Sequence, residues 1–343
     1  MSFRIIFVFR VKGADRDLHL SIRRQRRRCI RDSHCVTRCV RRSFLCGLDS
    51  YSGQSYEHRR GWVEKRLLFL STLFAIDICS YAVMSNHVHV VVHVDKDEAL
   101  SWDVDEVLRR YHKLHNGTLL TQKYVQGDEL SPSELISFNE TVAQYRLRLY
   151  DISWLMRDLN EYIAREANKE DGCTGRFWEG RFKSQALLDE SAVLACMAYV
   201  DLNPIRAKME KTPETSAHTS IKKRTQAVKN KQRQPKTLLP FVGGHRQNMP
   251  KGIAYHLKDY CELVDLTGRC IREDKTGQIE NSQCPILQRL GLSAEQWLTL
   301  STEFEKHFCY AAGAEWRMNA YKVHTHHKRL RGMGQARALL NRA

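Results

Sequence analysis

The segment Tyr81-Ala-Val-Met-Ser-Asn-His-Val-His-Val-Val-Val-His93 constrains the fold more than any other part of the chain. Its run of Val88, Val90, Val91 and Val92 favours a strand, and a largely buried one. Side chains alternate along a strand, so His87 and His89 point to the same face. Buried imidazoles must be satisfied. A divalent metal does this, and so do hydrogen bonds within a core, and the spacing alone leaves both readings open.

Charge is distributed unevenly. Residues 1–46 carry 13 Lys/Arg against 3 Asp/Glu, residues 206–237 carry 10 against 2, and residues 321–343 carry 6 against none. The chain as a whole is +16, so the body between these stretches is mildly acidic. Basic arms around an acidic body suit a polyanion, because cations gain entropy by displacing counterions from phosphates. The run Arg23-Arg24-Gln25-Arg26-Arg27-Arg28 favours nucleic acid over a solvated tail or an anionic membrane. Eleven cysteines at irregular spacing, with no CxxC pair, point to reduced thiols and a cytoplasmic setting. The apolar start is broken by Arg10 and is too short for a signal peptide, and no segment reaches the length of a membrane span.

Along the chain, residues 1–33 read as a basic arm, and a first strand is expected over 34–41. A helix follows from Tyr56 to about Ile76, then a strand from Asp77 to Met84 and the histidine strand from Asn86 to Val94. Strand, helix, strand, strand is the opening of a ferredoxin-like antiparallel sheet with helices on it, an α+β class. Residues 99–116 read as helix, and 117–150 as a polar insertion. A helix is expected over Ile152–Ala167. Asp189 is a candidate N-cap for a helix running to Asn203, where Pro204 ends it. The predicted organisation is a catalytic domain over 34–205, a basic linker over 206–237, a helical accessory domain over 238–320 and a basic tail over 321–343. Within the accessory domain, helices are expected at His256–Ile271 and Ser293–His307, the latter capped by Ser293.

Tyr199 and Asn203 are four apart on the predicted helix, hence one turn from each other on one face. Alone they read equally as a core tyrosine and a helix stop before proline. Arg176, Trp178, Arg181 and Lys183 form an aromatic-basic stretch able to stack on and clamp a single strand, or to pack in a core. His93 shares the face of His87 and His89 but is roughly 13 Å along the strand from His89, beyond one metal shell, and reads as structural. His324, His326 and His327 suit phosphate contact or solvation.

Met84-Ser-Asn-His-Val-His-Val-Val-Val resembles the HUH signature of single-tyrosine transposases. Gly175-Arg-Phe-Trp-Glu-Gly-Arg-Phe, followed by Ala198-Tyr-Val-Asp-Leu-Asn-Pro-Ile-Arg-Ala207, is similar to their tyrosine-helix region. The paired motifs resemble most the REP-associated tyrosine transposases, over about 34–225. The resemblance implies an HUH endonuclease fold, with His87 and His89 as ligands of magnesium or manganese and Tyr199 as the nucleophile. Asn203 falls where the family places a third polar ligand, where many relatives have glutamine. Attack by Tyr199 would leave a 5′-phosphotyrosine and a free 3′-hydroxyl, and the retained bond energy would allow strand transfer without ATP. The absence of a P-loop sequence agrees with this. The implied partners are single-stranded DNA and DNA hairpins, with a homodimer among the arrangements allowed. The implied location is the bacterial cytoplasm, at the nucleoid.

Two other readings are carried. One is a non-catalytic hairpin-binding regulator that keeps the scaffold. The other is a small-molecule metallohydrolase built on the HxH pair, for which the sequence offers no convincing further ligands and no use for the basic arms.

Overall fold

The computed structural model describes residues 31–40, 45–49, 53–272, 279, 285–325 and 328–340. The expected arm over 1–33 therefore lies almost wholly outside the described residues, as do His326 and His327. One five-stranded sheet organises the molecule: β1 (Asp32–Arg38), β2 (Ile76–Val83), β3 (His87–Val94), β4 (Lys183–Leu187) and the short β5 (Ala311–Ala312). Their order is β2-β3-β1-β4-β5; the first four are antiparallel to their neighbours, and β5 runs parallel to β4. Together with many helices this makes a mixed α+β protein.

The alternation within β3 divides the molecule into two layers. Val88, Val90, Val92 and Val94 enter one core, beneath helices α1 (Arg59–Ser71) and α6 (Ile152–Glu170). Val91 enters the other core, which holds α7 (Glu190–Asp201), and the odd-numbered histidines share that side. Arg59, fully buried at the start of α1, is paired with Glu170 and Asp171 at the end of α6, so the two helices are clamped by charge as well as by packing.

Between β3 and α6 lie α2 (Lys96–Ser101), α3 (Val104–His112), α4 (Leu119–Gln126) and α5 (Pro132–Arg148). The stretch 117–150, expected as a polar insertion, is largely helical. Ser131 caps α5 with a reciprocal Glu134 contact and proline at the first turn, a strong start signal. Phe138, Val142 and Tyr145 of α5 pack with Val107, Leu108 and Tyr111 of α3 in a small satellite core.

Helix α7 begins at its expected cap, where the Asp189 side chain accepts from Ala192 N–H. It ends at Asp201, and Pro204 does not end the helical path. Leu202 keeps right-handed helical geometry, and a further turn, α8 (Asn203–Arg206), carries Pro204 in its first turn, where no N–H is required. The basic stretch 206–237, expected as a linker, contains α9 (Ser220–Lys229), with Ser220 and Arg224 fully buried. Beyond it come α10 (Leu257–Ile271), α11 (Pro285–Leu290), α12 (Ala294–His307), α13 (Glu315–Thr325) and α14 (Met333–Leu339). Tyr260, Val264, Trp297, Leu300 and Phe304 from α10 and α12 share one core with α7. The tail expected over 321–343 is helical through much of its length, and Arg337 pairs with Glu315. All nine described cysteines are free thiols. No helix among the described residues is long and apolar enough to cross a membrane.

Candidate active site

The register of three strands assembles the polar face. Across β3 and β1, His87 pairs with Arg38, His89 with Val36, and Val91 with His34. Across β1 and β4, Val36 pairs with Lys183 and His34 with Gln185. Paired residues share a face, so His87, His89, His34, Arg38, Lys183 and Gln185 stand on one surface. It is the surface on which α7 packs.

His89 is 2% exposed, and its Nδ1 lies 2.9 Å from Nε2 of His34, with the rings stacked at 5.1 Å. Glu305 of α12 completes the group: its Oε1 lies 3.9 Å from His89 Nδ1. One ligand atom from each of His34, His89 and Glu305 lies within 4.8 Å of the others, so these three could hold a metal ion. The donor set fits. Metal–nitrogen bonds of about 2.1 Å separate adjacent ligand nitrogens by about 3 Å, close to the imidazole spacing. Burial lowers the His34 imidazole below its usual range, and burial with neighbouring positive charge lowers His89 further. Lowering favours the neutral imidazole in both, the form that ligates.

His87 packs edge-on against His89, with ring centroids 4.8 Å apart, while its Nδ1 is engaged by Asn86 Oδ1 at 2.5 Å. Burial, then Arg38 and Arg206, lowers its pKa to about 4. Of the expected HxH pair, His89 belongs to the three-residue group and His87 flanks it. His93, as expected, is paired elsewhere, to Asp32 at 2.8 Å.

Tyr199 comes to the same place from α7. Its ring lies 6.1 Å from that of His89 and 6.3 Å from that of His34, near perpendicular to each. Its hydroxyl donates to Glu305 Oε2 at 3.2 Å. Arg206 stacks over the phenol at 3.8 Å, held there by the carbonyls of Tyr199 and Thr302. Burial raises the phenol to about 12; Arg206 opposes the shift and Glu305 adds to it.

Asn203 follows one turn beyond Tyr199 and is buried, with its Nδ2 lacking a hydrogen-bond partner. Exchange of its amide N and O would turn that orphan donor into an acceptor. The third group that faces the imidazoles is the carboxylate of Glu305. Of the two readings open for Trp178, the structure has the core one: it is buried beside Phe177, and its indole N–H donates to the Asn160 carbonyl at 2.8 Å. It is core rather than a stacking platform, because its polar edge found a backbone acceptor. Arg176 is exposed, its Nε donating to the Trp178 carbonyl at 2.9 Å. Arg181 and Lys183 are exposed and line a groove of about 450 Å³ together with His34, Arg38 and Glu305. His34, Glu305 and Arg206 are the site residues that sequence reasoning missed. Only His34 left a signal, since it lies on a predicted strand whose pairing partner was unknown.

No family model and no curated protein matches the chain. Among solved structures it is similar to a REP-associated tyrosine transposase bound to a REP hairpin, at 11% identity and a TM-score of 0.33. The match covers 65% of this chain and 90% of that one. A likeness that loose fixes no residue correspondence.

Proposed function

We propose that this protein is a metal-dependent nickase and strand transferase of single-stranded DNA, of the tyrosine HUH type, with a ferredoxin-like core in the strand order β2-β3-β1-β4. The observation that carries this reading is the meeting of the Tyr199 phenol with the His89 and His34 imidazoles, 6.1 and 6.3 Å between rings, from strands and a helix distant in sequence. In this scheme His34, His89 and Glu305 hold a magnesium or manganese ion, with His87 and Asn203 beside them. When bound, such a cation withdraws charge from a non-bridging oxygen of the scissile phosphate. Two imidazoles and a carboxylate suit manganese well.

The chain's own groups supply the rest. The phenolic oxygen of Tyr199 bonds to phosphorus while the bond to the 3′-oxygen breaks, leaving a 5′-phosphotyrosine. The phenol proton passes toward Glu305 Oε2, its acceptor at 3.2 Å, and the departing 3′-oxygen takes up a proton. Reversal with another 3′-hydroxyl joins strands, since the ester retains the bond energy. Arg206, over the phenol ring, favours its ionised form. One chain supplies every group in this scheme. DNA hairpins remain the proposed targets, and the bacterial cytoplasm at the nucleoid the proposed location.

A second reading is favoured by one feature. Tyr199 is 7% exposed and its hydroxyl is already engaged, as expected of a scaffold that binds hairpins without cutting. Incubation of the protein with single-stranded hairpins and manganese separates the two. A covalent protein–DNA adduct on a denaturing gel supports the transferase; hairpin binding with no adduct supports the regulator.

A further inference from the structure

We propose that the groove between β1, β4 and α12 binds the phosphodiester backbone of the strand entering the centre, through Arg38, Arg181 and Lys183. The identity of the polyanion rests on the strand-transferase reading; the placement of the cations does not.

Register puts Arg38 and Lys183 on the face of the imidazoles, and Arg181 lines the same groove. Arg38 pairs with His87, and the row His89–Val36–Lys183 crosses β3, β1 and β4. Lys183 is thus two strand spacings from His89, about 10 Å. One cavity of about 450 Å³ is lined by His34 and Glu305 of the centre as well as by the three cations.

Many basic side chains among the described residues are engaged. Lys251, for example, contacts Asp77, Asp95 and Glu98. By contrast, the side chains of Arg38, Arg181 and Lys183 have no hydrogen-bond or ion-pair partner among the described residues. Glu179 also lines the groove, and Glu305 is taken up by the Tyr199 hydroxyl. Clustered cations repel one another and concentrate a polyanion beside them. Size then selects the form of that polyanion. The volume falls within the range of about 300–1,000 Å³ of small-ligand pockets, whereas the major groove of a duplex alone is about 12 Å wide. Phe308 and Cys309, just past the end of α12, also line it. The occupant committed to here is therefore a single unpaired strand, with a duplex as the competitor that tests it.

The test is a titration of the full chain, in EDTA, with a fluorescent oligothymidylate of about ten nucleotides, within the span of known single-strand sites. Alanine at Arg38, Arg181 and Lys183 together is expected to weaken binding about tenfold or more. It should also lower the slope of log K against log salt by about 0.7 per lost contact, roughly 2 for all three. A blunt duplex should compete poorly. Cys309 is an exposed thiol on the lining, so an oligonucleotide carrying an activated disulfide should cross-link to it and fail to do so in Cys309→Ser. All three cations are exposed, and an unchanged thermal midpoint verifies that the triple variant is folded. Unchanged affinity and salt slope in that folded variant would overturn the proposal. So would equal competition by the duplex, or cross-linking only at other cysteines. Because the titration needs neither metal nor cleavage, a missing Tyr199 adduct would sink the transferase reading while leaving this result to stand or fall alone.

Discussion

The carboxylate of Glu305 is shared: Oε2 accepts from the Tyr199 hydroxyl at 3.2 Å, and Oε1 lies 3.9 Å from Nδ1 of His89. A helix of the C-terminal region thus supplies the acidic group that links the phenol to the imidazoles.

Glu305→Gln should weaken divalent-metal binding, since an amide is a poorer ligand than a carboxylate. Manganese at about one hundred times its Kd should stabilise the wild-type protein by ~2.7 kcal/mol, seen as a rise of several degrees in thermal midpoint. That rise should shrink or vanish in Glu305→Gln and His89→Ala, and persist in Asn203→Ala. The opposite ranking, with Asn203 essential and Glu305 dispensable, would restore the ligand set expected from sequence.

Tyr199→Phe removes the proposed nucleophile and one hydrogen bond to an exposed carboxylate. Such a bond contributes about 0.5–1.5 kcal/mol, so the variant should fold with nearly the wild-type urea midpoint. Its covalent adduct with a single-stranded hairpin should be undetectable. Any adduct that survives, mapped by peptide mass, would identify another nucleophile.

How far these features were legible in the sequence depends on how local they are. Strands β2 and β3, and the Asp189 and Ser293 caps, follow from short patterns, because alternation and capping act over a few residues. The α+β class followed from the same signals. Glu305 could not be read, because its role depends on α12 packing against α7 through Phe304, a contact that no local pattern encodes. His34 needed the β1–β3 register, which only the sheet supplies. Trp178 stayed open between two readings because an aromatic between arginines has the same composition in a stacking surface and in a core.

Trp297 tests whether the C-terminal helices are integral to the site. It is fully buried, and its indole N–H donates to Thr267 Oγ1 at 2.9 Å, tying α12 to α10. Trp297→Ala should cost ~3–5 kcal/mol by urea unfolding, in the same cooperative transition that reports on α7. Two separate transitions, with only the weaker one shifted, would mean that the C-terminal helices fold apart from the layer that holds the imidazoles.

Asp201 gives a pH dependence of definite sign. It is fully buried at the end of α7 and accepts from Ser220 and, at 2.6 Å, from Tyr260. Burial raises its pKa to about 6 from an ordinary 3.8, against those hydrogen bonds and the charge of Arg224. Below about pH 4 both folded and unfolded chains hold the proton, and the contribution is fully present. As pH rises toward about 6 the unfolded chain releases its proton while the folded one keeps it, so stability falls. At about 1.4 kcal/mol per unit, the loss is of order 3 kcal/mol; above about pH 6 both forms are ionised and the curve flattens. His87, lowered to about 4, acts in the opposite sense over a similar window, because its unfolded imidazole gains a proton first. Absolute stability therefore mixes the two, and the informative quantity is the difference between wild type and Asp201→Asn. Measured by urea unfolding at about pH 4, 5, 6 and 7, that difference should move against the wild type between the first and third points and then hold steady. A difference independent of pH would mean that Asp201 ionises inside the fold as readily as in the unfolded chain, with Arg224 carrying the compensation.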